Sequence, residues 1–148
     1  MKKKLTFLVF LFVIAVASGA ENASPRRYIN LADHPPLPFT DGVLVGDTLY
    51  LSGRLGLDSA TGKIPENPEQ EIRNILDGMK ATLGQAGMTM NDLVYVHVFC
   101  TDLSLYEQFN TVYKSYFEKE YPARAFLGTG KLLRDAHFEV QSIAVKRK

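Results

Sequence analysis

The chain has 148 residues, with 17 lysines and arginines against 16 aspartates and glutamates, three histidines and one cysteine. This length fits a single domain with its own hydrophobic core. The near-neutral charge argues against a nucleic-acid partner and against a basic membrane-binding helix, and one cysteine excludes an intrachain disulfide.

The first 20 residues are predicted to be a secretory signal peptide. Lysines at positions 2–4 precede an apolar run from Leu5 to Ala17, and the small residues Ser18-Gly19-Ala20 end the segment. Cleavage would remove three lysines and leave 14 basic against 16 acidic residues, a net charge of −2. The sequence therefore predicts a periplasmic or secreted protein. The alternative is an uncleaved anchor, although the apolar run is short for a membrane span.

Residues 21–37 are polar and rich in proline, and we expect an extended N-terminal arm before a domain over residues 38–148. Residues 42–51 predict a hairpin that turns at Gly46-Asp47. Ser52-Gly53 after this hairpin indicates a β-bulge or a close approach of another group to the backbone.

Two helices and a strand are predicted next. Asn67 suits the N-cap of a first helix that Gly87 ends. Residues 93–100 predict a strand that is apolar on both faces, with valines 94, 96 and 98 on one face and Tyr95, His97 and Phe99 on the other. One helical layer covers one face only, so we expect another subunit to cover the second.

Within this strand we interpret His97 as a hydrogen-bonded core residue and Cys100 as a small buried hydrophobic residue. The second helix is predicted to begin with a capping box formed by Ser104 and Glu107. Its apolar stripe consists of Phe109, Val112, Tyr113, Tyr116 and Phe117.

Residues 122–145 predict two strands joined by a glycine-rich turn, with Arg124 in the first and Glu139 in the second. Both charges are costly to desolvate without a partner. Two interpretations stay open: a cross-strand ion pair without chemistry, or a polar site where Arg124 binds a carboxylate and Glu139 transfers protons. The predicted elements give an α+β fold, a mixed sheet with two helices on one face. One cysteine and three scattered histidines give no zinc-ligand spacing.

Several motifs together resemble the RidA (YjgF-type) family of reactive-intermediate deaminases. They are Ser52-Gly53, the Asn67-Pro68 helix start, V-F-C-T-D-L at residues 98–103, Asn110, Pro122-Ala123-Arg124, and Phe138-Glu139 followed by Ile143-Ala144-Val145. The resemblance implies a chorismate-mutase-like fold, a homotrimer with clefts between subunits, and hydrolysis of small 2-imino and 2-enamino acids to 2-keto acids and ammonia. It implies no metal and no cofactor.

The resemblance also implies roles for individual residues. Arg124 matches the arginine that holds the substrate carboxylate, and Glu139 matches the carboxylate that activates water. Ser52, Gly53 and Asn110 match positions near the cleft, and the backbone at Phe126 and Leu127 is expected to help form it.

This chain departs from the family pattern at two of the expected cleft positions. Phe39 stands where the family usually has tyrosine, and Phe126 stands where it often has cysteine. Phenylalanine has no hydrogen-bond donor, so a non-catalytic trimer that binds a small carboxylate or aromatic ligand is the alternative function. Some relatives are described as ribonucleases, but the net charge of −2 disfavours that activity here.

Overall fold

The computed structural model describes residues 25–118 and 120–147, so the predicted signal peptide lies outside the described residues. These residues form a six-stranded mixed sheet with two α-helices on one face, which confirms the α+β prediction. The strands are β1 Arg26–Ile29, β2 Gly42–Val45, β3 Thr48–Leu55, β4 Leu93–Cys100, β5 Ala123–Gly128 and β6 Phe138–Val145, and the helices are α1 Pro68–Gln85 and α2 Tyr106–Lys114. None of these helices is both long and apolar enough to cross a membrane.

The sheet has the strand order β1-β2-β3-β6-β4-β5, and every neighbouring pair is antiparallel except β4 and β5. The predicted hairpin is confirmed, since β2 and β3 pair around Gly46, whose φ of 57° suits glycine. The predicted bulge is confirmed by a shift in the β3–β6 register between Leu51 and Arg54. The edge strand β1 was not predicted; it uses part of the proline-rich arm.

The first helix has the predicted ends. The Asn67 side chain accepts a hydrogen bond from the Glu69 N–H at 2.9 Å. At the other end Gly87 has a φ of 70°, and the Met88 N–H donates to the Leu83 carbonyl at 2.9 Å. Local capping chemistry alone therefore fixes both ends of α1.

The predicted capping box of the second helix is wrong. Asp102 is the cap instead, and its carboxylate accepts from the Ser104 N–H at 2.9 Å. A short 3₁₀ turn, Leu103–Leu105, follows this cap, so α2 begins only at Tyr106. Glu107 is then the second residue of α2 and stands too late to serve the cap. The helix also ends at Lys114, before the predicted apolar stripe is complete.

Strand β4 has one fully covered face. Val96, Val98 and Cys100 are buried against the helical layer, so we name this side of the sheet the helix face. Burial also raises the pKa of the Cys100 thiol, which confirms the prediction of a small buried hydrophobic residue. The prediction for Val94 is wrong: the β4–β6 register shifts between Leu93 and Tyr95, and Val94 is 45 % exposed.

The opposite side of β4 carries Tyr95, His97 and Phe99, which are half-buried, and we name this side the open face. The His97 Nε2 lies 2.8 Å from the Tyr95 hydroxyl, which confirms a hydrogen-bonded histidine. The prediction that His97 lies in the core is wrong. Among the described residues no helix covers the open face, so the imidazole lies at the surface of the described chain.

Strands β5 and β6 do not pair with each other. Each pairs with β4, on opposite sides of it, so that Val96 is opposite Arg124 while Phe99 is opposite Glu139. Val96 and Phe99 are three residues apart in a regular strand and point to opposite faces. Arg124 therefore lies on the helix face and Glu139 on the open face. This arrangement rules out the cross-strand ion pair within one chain.

Candidate active site

Arg124 is held in place from α2. Its Nη2 donates to the Asn110 Oδ1 at 2.7 Å, and its side chain is half-buried. Asn110 and Arg124 therefore lie together in this structure. A hydrogen bond to a neutral amide leaves the positive charge of the guanidinium uncompensated, so the group keeps its capacity to bind an anion.

Four aromatic rings surround the Arg124 guanidinium. The Tyr113 ring centroid lies 4.9 Å from its Cζ, and three further rings, those of Tyr106, Phe109 and Phe126, have their centroids at 5.7–5.8 Å. These distances are within the range of cation–π attraction. Burial raises the pKa of Tyr113, so its phenol stays neutral beside the arginine.

Glu139 lies beside the bulge of β3. A Cβ atom added to Gly53 would come within 3.0 Å of the Glu139 Oε1 and 3.1 Å from its Cδ. Glycine at position 53 therefore makes room for the carboxylate, as expected from the Ser52-Gly53 motif. This need for space explains why β3 carries glycine in its interior, although glycine usually weakens a strand.

On its other side Glu139 borders an open depression of about 460 Å³ that is otherwise lined by residues 131–135. Lys131 pairs with Asp135 at 2.7 Å across this loop. Arg134 and Asp135 both have a φ of 58°, in the left-handed region that disfavours residues with a side chain. Such backbone strain is more frequent at functional sites than elsewhere.

Ser52 and Phe39 are connected through the loop that precedes β2. The Ser52 hydroxyl donates to the Thr40 carbonyl, and the Ser52 N–H donates to the Asp41 carbonyl at 3.1 Å. Phe39 is exposed, and its ring meets the His34 ring edge-on at 5.3 Å. The predicted role of Ser52 is therefore indirect in this structure, since its polar atoms secure the loop that carries Phe39.

Sequence reasoning missed Asp41, which anchors the same loop. Its carboxylate accepts from the Leu31 N–H at 2.8 Å and from the Arg54 Nη2 at 3.0 Å, and it lies 3.1 Å from the His34 Nδ1.

Tyr106 was also missed, although it lies four residues before Asn110 and thus on the same side of α2. That spacing was the available signal.

The predicted site residues form separate groups in one chain. Arg124, Asn110 and Phe126 meet on the helix face, whereas Glu139 and Gly53 meet on the open face. Leu127 is exposed and follows Phe126 in β5, so its side chain belongs to the open face. Among the described residues, no group of three or more histidine, cysteine, aspartate or glutamate side chains could hold a metal ion.

The comparisons with known proteins agree with the motifs. The family model described as Endoribonuclease L-PSP matches residues 32–146. A 2-iminobutanoate/2-iminopropanoate deaminase from Dermatophagoides farinae is 34 % identical over 125 residues, which cover 82 % of this chain and 98 % of the relative.

Two solved structures share the fold. RidA from an Antarctic Psychrobacter is 30 % identical, with a TM-score of 0.76 and coverage of 81 % of this chain and 100 % of that chain. Escherichia coli TdcF with bound serine is 30 % identical, with a TM-score of 0.75 and coverage of 82 % and 100 %. The family model and the relatives match most of the chain, so the chain belongs to the Endoribonuclease L-PSP family, the RidA (YjgF-type) family that its motifs resemble.

Proposed function

We propose that the protein is a deaminase-type hydrolase that converts 2-imino and 2-enamino acids to 2-keto acids and ammonia without a cofactor. The observation that carries this proposal is the Arg124 guanidinium, which Asn110 fixes and no acidic side chain neutralises among its described contacts. The relative named 2-iminobutanoate/2-iminopropanoate deaminase and the TdcF structure with bound serine support a ligand with a carboxylate next to a nitrogen-bearing carbon.

In the proposed reaction, Arg124 binds the substrate carboxylate through two parallel hydrogen bonds. Glu139 takes a proton from water as the water oxygen bonds to the imine carbon, the C=N π electrons pass to nitrogen, and Glu139 returns the proton to that nitrogen. The hydroxyl proton of the resulting carbinolamine then passes through Glu139 to the nitrogen as the C–N bond breaks and the C=O bond forms, and ammonia leaves. Enamines enter the same route after protonation at carbon gives the imine.

The proposed site lies in a cleft between subunits of a homotrimer. Arg124 and Glu139 are on opposite faces of the sheet, which supports a site that draws on two copies of the chain. The open face supports this assembly: Tyr28, Tyr50 and Ile143 lie in one row across it, and both tyrosines are more than half exposed. An apolar row of this kind is typical of a surface that a partner covers.

Hydrolysis can be tested with 2-iminopropionate that an amino-acid oxidase generates and semicarbazide traps. The wild-type protein should reduce the trapped imine. Arg124→Ala should lower kcat/KM by about 10²-fold, because the carboxylate clamp is lost. Arg27→Ala, on the edge strand at the other end of the sheet, is the matched control and should retain activity. No hydrolysis, with keto-acid binding retained, would favour the ligand-binding alternative.

The cleft between subunits has its own test, in which Arg124→Ala and Glu139→Gln proteins are unfolded, mixed and refolded together. Each variant alone should keep only about 1 % of the wild-type activity or less. In a randomly mixed trimer, about a quarter of the clefts would combine an intact Arg124 from one copy with an intact Glu139 from the next, so about a quarter of the activity should return. Activity that stays at the level of the separate variants would contradict a shared site.

We also propose export to the periplasm or the medium, which rests on the predicted signal peptide. Fractionation of the producing cells followed by mass spectrometry should find a mature N-terminus near residue 21 outside the cytoplasm. A full-length chain in the membrane fraction would contradict cleavage and favour the N-terminal anchor.

A further inference from the structure

We propose that Tyr106 and Phe126 form an aromatic wall beside Arg124 that makes the protein selective for imino acids with an aromatic or branched apolar side chain. This inference rests on the proposed function and adds the substrate class of the same site. We use the name aromatic wall for these two rings, which meet edge-to-face at 4.9 Å and an interplanar angle of 86°.

The surroundings of Arg124 restrict how a carboxylate can approach. Asn110 occupies one Nη2 hydrogen, and the buried Tyr113 ring lies 4.9 Å from the guanidinium carbon on the inner side. The approach that remains is from the solvent side. On that side lie Tyr106, which is 40 % exposed, and the half-buried Phe126.

The aromatic wall is within reach of a bound substrate. Its ring centroids lie 5.8 Å and 5.7 Å from the Arg124 Cζ. A carboxylate paired bidentately has its carbon about 4 Å from the guanidinium carbon, and the substituent on the next carbon extends about 2–4 Å farther. A substituent that turns toward the aromatic wall is therefore long enough to contact the rings, where an aromatic group can make a stacked or edge-to-face contact.

The apolar surface continues past the aromatic wall. Gly128 follows Phe126 on the same face of β5 and contributes no side chain, and Leu103 lies over it: a Cβ at position 128 would be 3.1 Å from the Leu103 Cδ1. Leu103 is 57 % exposed, so this apolar strip is open to a ligand. Among the described residues in this cluster of contacts, Arg124 is the one with a charged side chain. A charged substrate side chain would lose hydration there without gaining a partner.

The test compares two imines made by the same D-amino-acid oxidase, one from D-phenylalanine and one from D-alanine, with semicarbazide trapping. We expect kcat/KM to be about tenfold higher for the phenylalanine-derived imine. Tyr106→Ala and Phe126→Leu should each reduce this ratio several-fold, because the phenylalanine-derived rate loses the ring contact and falls more than the alanine-derived rate. Thr111→Ala, on the exposed side of α2, is the control and should retain the ratio.

A ratio of one or less in the wild-type protein would overturn the selectivity and leave the proposed hydrolysis standing. Loss of both hydrolysis reactions would refute the proposed function instead. A second measurement, calorimetric binding of phenylpyruvate and pyruvate, does not depend on turnover. Phenylpyruvate should bind about tenfold more tightly, and Tyr106→Ala should remove that difference. Equal binding of the two keto acids would count against the aromatic wall even if the rates differ.

Discussion

Replacing Gly53 with alanine tests whether the position of Glu139 controls the reaction. The new Cβ would lie within 3.0 Å of the Glu139 Oε1, whereas ordinary contacts begin at 3.4 Å. The carboxylate terminates a flexible side chain, so it should move by about 1 Å while the strand stays in place. A displacement of about 1 Å in a reacting group lowers the rate by about 10²-fold. We therefore expect kcat/KM for 2-iminopropionate to fall by about two orders of magnitude, with a melting temperature that changes little.

Gly84→Ala is the matched control for this experiment. Gly84 lies inside α1, and a Cβ there meets no atom within 4 Å. Alanine at this position should stabilise the protein by about 0.5–1 kcal/mol, because glycine is unfavourable inside a helix, and should leave hydrolysis unchanged. Full activity of Gly53→Ala would refute the reasoning. Unfolding of the Gly53→Ala protein would refute it as well, because the backbone of β3 and not the Glu139 carboxylate would then have moved.

Three further predictions concern stability and reactivity. Among the described residues the buried Ser142 hydroxyl has no hydrogen-bond partner, so Ser142→Ala should raise the unfolding free energy in urea by about 1 kcal/mol. Burial alone would raise the pKa of Asp92, but hydrogen bonds from Thr89 and Arg147 outweigh it and lower this pKa below its usual value. The carboxylate therefore stabilises the fold above about pH 4 and loses this effect as the pH falls through its folded pKa. Asp92→Asn should accordingly destabilise the protein at pH 7 and show a smaller loss between pH 5 and pH 2 in urea titrations. Cys100, whose thiol is buried, should react with a maleimide only after unfolding, and rapid labelling of the native protein would contradict its burial.

Features that depend on neighbours in sequence were predictable. The ends of α1 follow from a capping asparagine and a glycine with positive φ, and the Gly46 turn follows from its dipeptide. The bulge at Ser52-Gly53 was predictable for the same reason, since glycine inside a strand has few other uses. In each case one or two adjacent residues determine the backbone.

Features that depend on distant parts of the chain were not predictable. The strands that carry Arg124 and Glu139 are joined by a short connection, which suggests that they pair, yet β4 lies between them. No local pattern distinguishes these two arrangements, because both give half-buried strands of similar composition. The edge strand β1 escaped prediction for a related reason: Arg26–Ile29 is polar and mostly exposed, and only its pairing with β2 makes it a strand.

The bulge in β3 positions two parts of the proposed site, the loop that carries Phe39 and the Glu139 carboxylate. Ser52 donates to the Thr40 carbonyl and so secures the loop with Phe39, while Gly53 leaves the space that Glu139 occupies. A regular strand would direct positions 52 and 53 to opposite faces. The bulge re-aims one of them, which bulges near active sites commonly do. We therefore expect the position of Phe39 and the position of Glu139 to depend on the same two residues, so substitutions at 52 and 53 should affect catalysis non-additively.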